Sequence, residues 1–595
     1  MTVYFNKLPK KKTDVVIFCN LEKKLPIECK ILDVRDLIQN SIDEFTDNLI
    51  QYNRLLIRAL KENIFRWNFS PVSRLLVWPN GPGGYSVKNI YMAQAVDKFA
   101  RDNTKDIYVL GAENYVSLYV SQLAGDAYQV CIIDQRSLPN RRFSYFLRLF
   151  RSVAAALRAY FQSILRRQSN QQSSVGENFI FSTVFKSNSD TYLDHFFGNL
   201  FDSQRNESLK ITWVFDNLNI QLAKNQLKNS NRNECEPIDF LFSKISFTDI
   251  LKAIYLDLLQ HIKFRAFFRD CNLNFFARGG ESRAIADDFF LDLGIRQTSF
   301  TQFLTYFLVR RLINVYKPKT LIYPYEGKLN EAALLSAIRD SNENVKTVGF
   351  AHAAYTKGHM FTQFFDLIPE NIPSIMAVTG KRSANFFVKN GIHKSKVTVV
   401  GTGRFHERDQ GPHSYFRLKQ KRKLRVLFIS SLGFEYLNFA KILVQYPEIC
   451  KQFDVRIRAS YHSWHKERLL GDSLLSQSSG VVRKSNGDLR QEILSSDVIL
   501  FEYTTAAYQA SLLGRLILKL KVFETFSTDH ISPEKHKVPY FEECVHESQI
   551  FNVLRDISEL DLGAYNSLVL AQRKVIGEIY EAPHHHQIRE LFSQS

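Results

Sequence analysis

Short apolar runs alternate with helix-like stretches along most of the chain. From residue 75, an apolar run, a glycine-rich turn and a helix-like stretch follow one another, and this rhythm continues to residue 133. It recurs at residues 320–400 and again from residue 424. Strands that alternate with helices form parallel sheets with helices on both faces. The pattern therefore predicts an α/β protein.

The chain length and one polar break predict two βα domains. A chain of 595 residues is too long for a single hydrophobic core. The alternation stops in a polar, basic stretch at 405–422, which we interpret as a linker. We predict an N-terminal extension (1–70), an N-terminal Rossmann-like domain (71–410), a C-terminal Rossmann-like domain (411–575) and a tail (576–595). The two domains are expected to face each other across a cleft.

A basic, aromatic segment at residues 136–176 interrupts the first domain. It contains eight Arg and no acidic residue, and its bulky apolar residues recur near a 3.6-residue period. This pattern is typical of an amphipathic helix. Two interpretations remain open: the helix at 141–167 lies in an anionic membrane surface, or it packs on its own domain with a solvated basic face. We favour the membrane surface, because charge from Arg alone beside several Phe is unusual for a plain surface helix.

Net charge and cysteine usage narrow the class of protein. The formal net charge of +18 suits an anionic partner such as nucleic acid, lipid headgroups or a phosphorylated substrate. No recognised nucleic-acid-binding module occurs, so we expect no nucleic-acid partner. The seven Cys are scattered without a CxxC pair, which indicates a reducing cytosol. No stretch approaches the roughly 20 apolar residues of a spanning helix. We therefore expect a cytoplasmic protein, peripheral on the inner face of the cell membrane.

Two carboxylates follow an apolar strand in the sequence LIYPYEGKLNEAALL, residues 321–335. The strand stops at Pro324, Glu326 follows in a loop, and Glu331 lies in the first turn of the next helix. In α/β folds, ligands bind beyond the carboxyl ends of the strands. A carboxylate there can act as a general base, and we predict this role for Glu326 first. Glu331 is either catalytic or stabilises its helix N-terminus. His352, at the end of the following strand, is predicted to orient the base or contact an anionic group.

The second domain contains a candidate phosphate site in the sequence VILFEYTTAAYQ, residues 498–509. An apolar strand runs into Glu502, and Thr504 and Thr505 then begin a helix that ends at Gly514. Hydroxyl groups and free N–H groups at a helix start bind anions. The alternative is an ordinary capped helix.

Further candidates follow two other strands of the same domain. Ser431 and Gly433 belong to a turn whose free N–H groups can contact a ligand. Arg458 and His462 follow the next strand, and an Arg there suits bidentate phosphate binding.

The segment at 495–517 resembles the nucleotide-sugar-binding segment of GT-B glycosyltransferases, with Thr504 and Thr505 at the positions of its hydroxyl pair. The stretch 321–360 is similar to bacterial surface-carbohydrate glycosyltransferases of capsule and lipopolysaccharide biosynthesis. This group lies near the Kdo and sialic-acid transferases and the CDP-glycerol phosphotransferases. The residues that fall on its pattern are Pro324, Glu326, Glu331, Gly349 and His352.

The resemblance implies a GT-B enzyme that transfers a sugar from a nucleotide-sugar, CMP-linked by preference, to a surface polysaccharide or a lipid-linked glycan. It implies donor contacts from Arg458 and His462, although Ser463 stands where related enzymes have Pro. It also implies inversion at the anomeric carbon. No DxD element flanked by strands occurs, so we expect no metal and no cofactor besides the donor.

Three alternatives remain open. A CDP-alditol phosphotransferase shares the fold but transfers a different group. A membrane-docked scaffold without activity keeps the fold but loses the chemistry. A nucleic-acid binder accounts for the net charge alone, and it predicts binding that weakens steeply with salt.

Overall fold

The computed structural model describes most of the two large βα units and short pieces of the remaining chain. The described residues are 15–18, 30–33, 47, 50–51, 54, 107–110, 130–133, 141–166, 176–184, 194, 196–201, 210–217, 220–227, 238–270, 299–341, 344–353, 355, 360–404, 423–430, 433–459, 465–477, 483–484, 488–501, 504–520, 542–544 and 547–593. Ser431, His462, Glu502 and the predicted linker 405–422 lie outside these residues.

A small parallel sheet combines strands from both sides of residue 70. Its strands are β1 (Val15–Phe18), β2 (Lys30–Asp33), β3 (Ile107–Leu110) and β4 (Val130–Ile133), in the order β2-β1-β3-β4. The sequence pattern predicts 1–70 as a separate extension, whereas two strands of that segment pair into one sheet with strands of the segment 71–410. Runs of four residues are too short for their periodicity to reveal such a partnership.

A seven-stranded parallel sheet lies at the centre of the first large unit. Its strands are β5 (Asn178–Ser182), β6 (Ile211–Phe215), β7 (Ile238–Phe240), β8 (Thr320–Pro324), β9 (Lys346–Ala351), β10 (Ile375–Val378) and β11 (Val397–Val399). The order is β11-β10-β9-β8-β5-β6-β7. The direction of winding therefore reverses between β5 and β8, and parallel sheets bind ligands at such a switch point.

Helices and aromatic side chains cover this sheet. The helices are α1 (Arg141–Arg166), α2 (Ile220–Leu227), α3 (Phe247–Asp270), α4 (Phe300–Tyr316), α5 (Leu329–Asp340) and α6 (Lys381–Lys389). The ring of Phe197 packs on Phe350 and Trp213, with centroids 5.3 and 5.9 Å away. Gly349 has no room for a side chain, because a Cβ would lie 2.8 Å from Pro373 Cγ. Aromatic side chains thus form part of the core of the first unit.

The second unit has its own six-stranded parallel sheet. Its strands are β12 (Arg425–Ser430), β13 (Asp454–Ala459), β14 (Arg483–Lys484), β15 (Val498–Phe501), β16 (Leu516–Leu520) and β17 (Glu542–Cys544), in the order β14-β13-β12-β15-β16-β17. This is the 3-2-1-4-5-6 order of a Rossmann fold, and its switch point lies between β12 and β15. Its helices are α7 (Gly433–Gln445), α8 (Pro447–Gln452), α9 (His465–Gln477), α10 (Leu489–Leu494), α11 (Thr505–Leu512), α12 (Glu547–Glu559) and α13 (Leu562–Ile579).

The C-terminal segment returns from the second unit to the first. After α13, the backbone of Glu581 donates to Thr379 O at 2.8 Å and accepts from Thr402 N at 2.9 Å. The last helix, α14 (His585–Phe592), then buries apolar side chains such as Ile588 in the core of the first unit. The segment predicted as a tail at 576–595 therefore contains the end of α13 and the whole of α14, and α14 is packed on the first unit, which corrects the prediction of a tail. Two Rossmann-like units tied together in this way give the chain an α/β structure of the GT-B fold.

Candidate active site at the carboxyl ends of two sheets

Glu326 lies beyond the carboxyl end of β8, beside the switch point of the first sheet. The last residue of β8, Pro324, is in register with Phe350 of β9, and the next residue, Tyr325, is fully buried. The Glu326 side chain is 26% exposed. The buried Tyr325 anchors the chain immediately before the loop, so Glu326 is presented to solvent from a fixed point.

Glu331 holds the loop that carries Glu326. Its Oε1 accepts a hydrogen bond from Glu326 N at 2.8 Å, and its Oε2 accepts one from Gly327 N at 2.9 Å. The backbone at Gly327 has φ +71°, a conformation that favours glycine. Burial and the nearby Glu326 carboxylate raise the pKa of Glu331 to about 8. Both carboxyl oxygens of Glu331 are thus bound to the loop, which makes it a positioning residue for Glu326.

His352 packs beside Glu326 at the end of β9. Its Nε2 lies 3.4 Å from Glu326 Oε1, and its ring meets Phe196 edge to face at 4.8 Å. Burial lowers the pKa of His352 well below its usual value, and the charges of Arg404 and Lys328 lower it further. His352 is therefore a neutral imidazole at pH 7, able to orient the carboxylate without adding a charge.

Two cationic side chains, Lys328 and Arg404, lie near the Glu326 carboxylate. Lys328 forms an ion pair with Glu326 and stands at the N-terminus of α5. Arg404 follows β11, and burial lowers its pKa while Tyr580, Asp194 and Glu326 oppose that shift. Arg404 was not among the residues predicted from the sequence. The available signal was the pair of glycines before it, since Gly401 and Gly403 both pack where a Cβ would clash with backbone.

A second, partly buried acid, Asp216, follows the end of β6. The hydroxyl of Thr183 donates to Asp216 Oδ1 at 2.5 Å. Burial raises the pKa of Asp216, and Lys328 opposes this. Asp216 and Thr183 follow the neighbouring strands β6 and β5, so they line the same edge of the sheet as Glu326. Neither residue was predicted from the sequence, although an acid shortly after a buried strand is the pattern that identified Glu326.

The predicted phosphate site lies at the switch point of the second sheet. Ile429 of β12 is in register with Phe501 of β15, so the segments after these strands are neighbours. Helix α7 begins at Gly433 and α11 at Thr505. Thr504 caps α11, because its Oγ1 accepts from Ala506 N at 3.3 Å. The start of α11 therefore has the geometry of a capped helix, with the Thr504 hydroxyl bound to its own helix, and phosphate binding there stays a prediction.

Arg458 lies on the adjacent strand β13 but is already paired. Its Nη1 lies 2.5 Å from Glu492 Oε2 on α10. Arg515, which follows Gly514 where the resembling enzymes have Lys, is buried and donates to Ile493 O and Leu494 O. These contacts tie Arg515 to the end of α10. A donor phosphate would have to displace Glu492 in order to bind Arg458.

Tyr580 connects the two sheet edges. Its ring lies 6.0 Å from Tyr508 of α11, which in turn packs on Phe501 at 5.8 Å. On the other side, the phenol of Tyr580 is near enough to Arg404 and Tyr355 to affect their pKa values. Tyr580 therefore packs on α11 and also lies near charged groups that surround Glu326.

The described residues place limits on other kinds of site. Among them, no three His, Cys, Asp or Glu side chains are arranged to hold a metal ion. None of the described helices has the length and apolarity needed to cross a membrane. The described residues form two Rossmann-like units. A carboxylate lies at the switch point of the first sheet, and a capped helix start lies at the switch point of the second.

Comparisons with known proteins gave structural neighbours only, because no family model and no curated protein matched the chain. HepE from Anabaena, solved with UDP and glucose, is 11% identical, with a TM-score of 0.39 over 68% of this chain and 95% of that chain. The lipopolysaccharide outer core galactosyltransferase WaaB is 11% identical, with a TM-score of 0.38 over 70% and 98%. UDP-GlcNAc 2-epimerase from Neisseria meningitidis, bound to UDP-GlcNAc, is 10% identical, with a TM-score of 0.41 over 67% and 97%. The fold of this chain is defined by its own strand orders and returning C-terminal segment.

Proposed function

We propose that this protein is a glycosyltransferase that moves a sugar from a nucleotide-sugar to a surface polysaccharide or a lipid-linked glycan. The observation that supports this most is Glu326 at a switch point, with its loop held by both oxygens of Glu331. A general base must stand where the acceptor hydroxyl attacks, and a fixed loop provides that placement. We propose a CMP-linked donor, a metal-independent reaction and inversion at the anomeric carbon.

In the proposed reaction, the acceptor oxygen attacks the anomeric carbon while Glu326 accepts the hydroxyl proton. The bond between that carbon and the donor phosphate breaks, and the nucleotide leaves with the electron pair. The neutral His352, 3.4 Å from Glu326 Oε1, orients the carboxylate. The negative charge on the departing phosphate is stabilised by N–H groups at the starts of α7 and α11. Arg404 and Lys328 supply positive charge on the acceptor side.

A thermal-shift experiment with CMP, CDP, UDP and GDP tests the donor half of the proposal. A ligand that binds the folded state raises the melting temperature. We expect CMP to raise it more than the other three nucleotides at equal concentration. No response to any of the four nucleotides would contradict the glycosyltransferase assignment itself.

A transfer assay tests the proposed base. Glu326→Gln keeps the size of the side chain but cannot accept a proton, and we expect kcat to fall by about 10²- to 10⁴-fold. Glu559→Gln, at an exposed position on α12, is the matched control and is expected to keep full activity. Product analysis with CMP-, CDP- and UDP-linked donors distinguishes a glycosidic product from the phosphodiester that an alditol phosphotransferase would form. Equal rates for Glu326→Gln and the control would exclude Glu326 as the base.

We also propose that the protein works at the inner face of the cell membrane, where lipid-linked acceptors are accessible. The support is the predicted basic helix at 141–167, of which residues 141–166 are helical. Anionic headgroups attract Arg side chains next to an apolar helix face. Sedimentation with lipid vesicles measures this association directly.

A further inference from the structure

Helix α1 has two different apolar faces. One face is buried against the first unit through Tyr145, Leu149 and Ala156. The opposite side exposes large apolar residues, of which Phe150 is 71% exposed, together with Phe146 and Phe161. The period of apolar residues in the sequence therefore arises from two stripes. Only the stripe with Tyr145, Leu149 and Ala156 packs in the core.

Helix α3 carries a similar exposed stripe. Its members share one side of the helix, because they are separated by four, four and seven residues. They are Phe247, Leu251, Tyr255 and Ile262. Tyr255 is 64% exposed. Exposed aromatic and aliphatic side chains that recur in this way form a patch, whereas single ones are common on any protein surface.

Buried polar contacts fix α1 and α3 side by side. Tyr145 donates to Asp257 Oδ2 at 2.8 Å and stacks on His261, with ring centroids 4.0 Å apart. At the other end of the pair, the rings of Tyr160 and Phe247 are 6.2 Å apart. The two helices are thus antiparallel neighbours in contact. Their exposed stripes belong to one rigid surface.

The exposed charges described on this pair of helices are basic. Arg148, Arg151 and Arg158 are exposed on α1, and Lys252 is exposed on α3. The acids described on α3 are both buried. Asp257 accepts from Tyr145, and Asp249 is paired with Arg311 at 2.7 Å. The positive charges therefore adjoin the apolar patch without an exposed acid of either helix described among them.

We infer that α1 and α3 together form a docking surface for an anionic lipid bilayer. The exposed Phe, Leu, Tyr and Ile side chains enter the interface between headgroups and acyl chains, and the Arg and Lys side chains bind the headgroups. This extends the membrane contact proposed for α1 to a second helix, and it does not depend on which group the enzyme transfers. Charge complementarity selects an anionic bilayer over a second copy of this basic chain, which would bring like charges together.

Sedimentation of the full chain with phosphatidylcholine vesicles, with and without phosphatidylglycerol, tests the inference. The double variant Tyr255→Ser/Ile262→Ser lies on α3, outside the helix that the sequence alone identifies. We expect it to lower binding to the anionic vesicles at least about fivefold, since it removes apolar area from the interface. Val315→Ser, at a position 65% exposed on α4, is the matched control and should bind as the unmodified chain does.

Several outcomes would overturn the inference. They are equal binding by the α3 variant and the control, binding that ignores phosphatidylglycerol, and a dimer in sedimentation velocity that the α3 variant converts to a monomer. The last result would assign the surface to self-association. If the α3 variant fails to fold, Arg151→Gln/Arg158→Gln is the second test, and it should weaken binding to anionic vesicles only. Glu326→Gln should bind vesicles normally, which separates this inference from the proposed reaction.

Discussion

At the scale of single residues, the site depends on one acid that positions another. The sequence favours Glu326 as the base and leaves two roles open for Glu331, catalysis or stabilisation of its helix N-terminus. The structure adds a third role for Glu331, because its carboxyl group accepts hydrogen bonds from Glu326 N and Gly327 N. Backbone donors are invisible in a sequence, because every residue except Pro has one.

The raised pKa of Glu331 predicts how stability depends on pH. The folded protein keeps the Glu331 proton up to a pH of about 8, whereas the unfolded chain releases it near 4.5. The stabilisation is therefore complete below 4.5 and is lost as the pH rises through about 8. Glu331→Gln cannot ionise. We therefore expect the free energy of unfolding of this variant to increase relative to that of the unmodified chain as the pH rises from about 4.5 to about 8.

Urea unfolding of both proteins across that pH range provides the measurement. Because the Gln amide has a single acceptor oxygen, the variant loses one of the two loop hydrogen bonds at every pH. That loss changes the difference in free energy of unfolding between the two proteins by the same amount at every pH. It does not change how this difference depends on pH. A difference that is independent of pH would refute the assignment of a raised pKa to Glu331.

Gly327 offers a test of the loop backbone. Its φ of +71° disfavours any residue with a Cβ. We expect Gly327→Ala to destabilise the protein by about 1 kcal/mol and to lower the transfer rate by displacing Glu326. Gly577→Ala is the control, since this helical glycine has nothing within 4 Å of its would-be Cβ. Thermal unfolding should show the control to be as stable as the unmodified chain or slightly more so.

At the scale of elements, α1 is helical as predicted, but its two apolar faces were not predicted. The sequence predicts one amphipathic helix with two exclusive interpretations, a membrane contact or a contact with its own domain. The structure shows the domain contact through Tyr145, Leu149 and Ala156, and it leaves Phe146 and Phe150 exposed. The alternatives are therefore not exclusive. A period of 3.6 residues locates apolar faces on a helix but does not say what covers each of them.

The contact between α1 and α3 makes a specific prediction. Burial and the Asp257 carboxylate raise the pKa of Tyr145, which therefore stays a hydrogen-bond donor. Tyr145→Phe leaves the buried Asp257 without this donor, and we expect a loss of about 1–3 kcal/mol in the free energy of unfolding. Chemical denaturation checks this, with Tyr255→Phe at an exposed position as the control. Equal stability of the two variants would show that the hydroxyl of Tyr145 contributes nothing to the contact between α1 and α3.

At the scale of the whole molecule, the sequence predicted the α/β class and the GT-B fold from the alternation of apolar runs and from resemblance. It did not predict the partnership of β1 and β2 with β3 and β4, or the return of α14 to the first unit. Both involve contacts between residues far apart in the chain, whereas a periodic pattern reports only local structure. Among the site residues, Arg404 was missed for the same reason, because Tyr580 and Glu326 lie near it only in the folded chain.

The return of α14 predicts that the end of the chain stabilises its first half. Ile588 is fully buried in the core of the first unit. We expect Ile588→Ala to lower the free energy of unfolding by about 2–4 kcal/mol, whereas Leu570→Ala, at an exposed position on α13, should change it little. Limited proteolysis of both variants, followed by mass spectrometry, should show new cleavage in the first unit for Ile588→Ala only. Cleavage confined to α14 would contradict this prediction.

The same crossing has a consequence for biosynthesis. Domains generally fold in order as the chain leaves the ribosome, but the first unit cannot complete its core until residues 585–592 have emerged. During synthesis of the second unit, the apolar pocket around Phe201, which α14 later fills with Phe592, stays uncovered. A nascent chain of this protein therefore presents a binding surface for chaperones until residues 585–592 have left the ribosome.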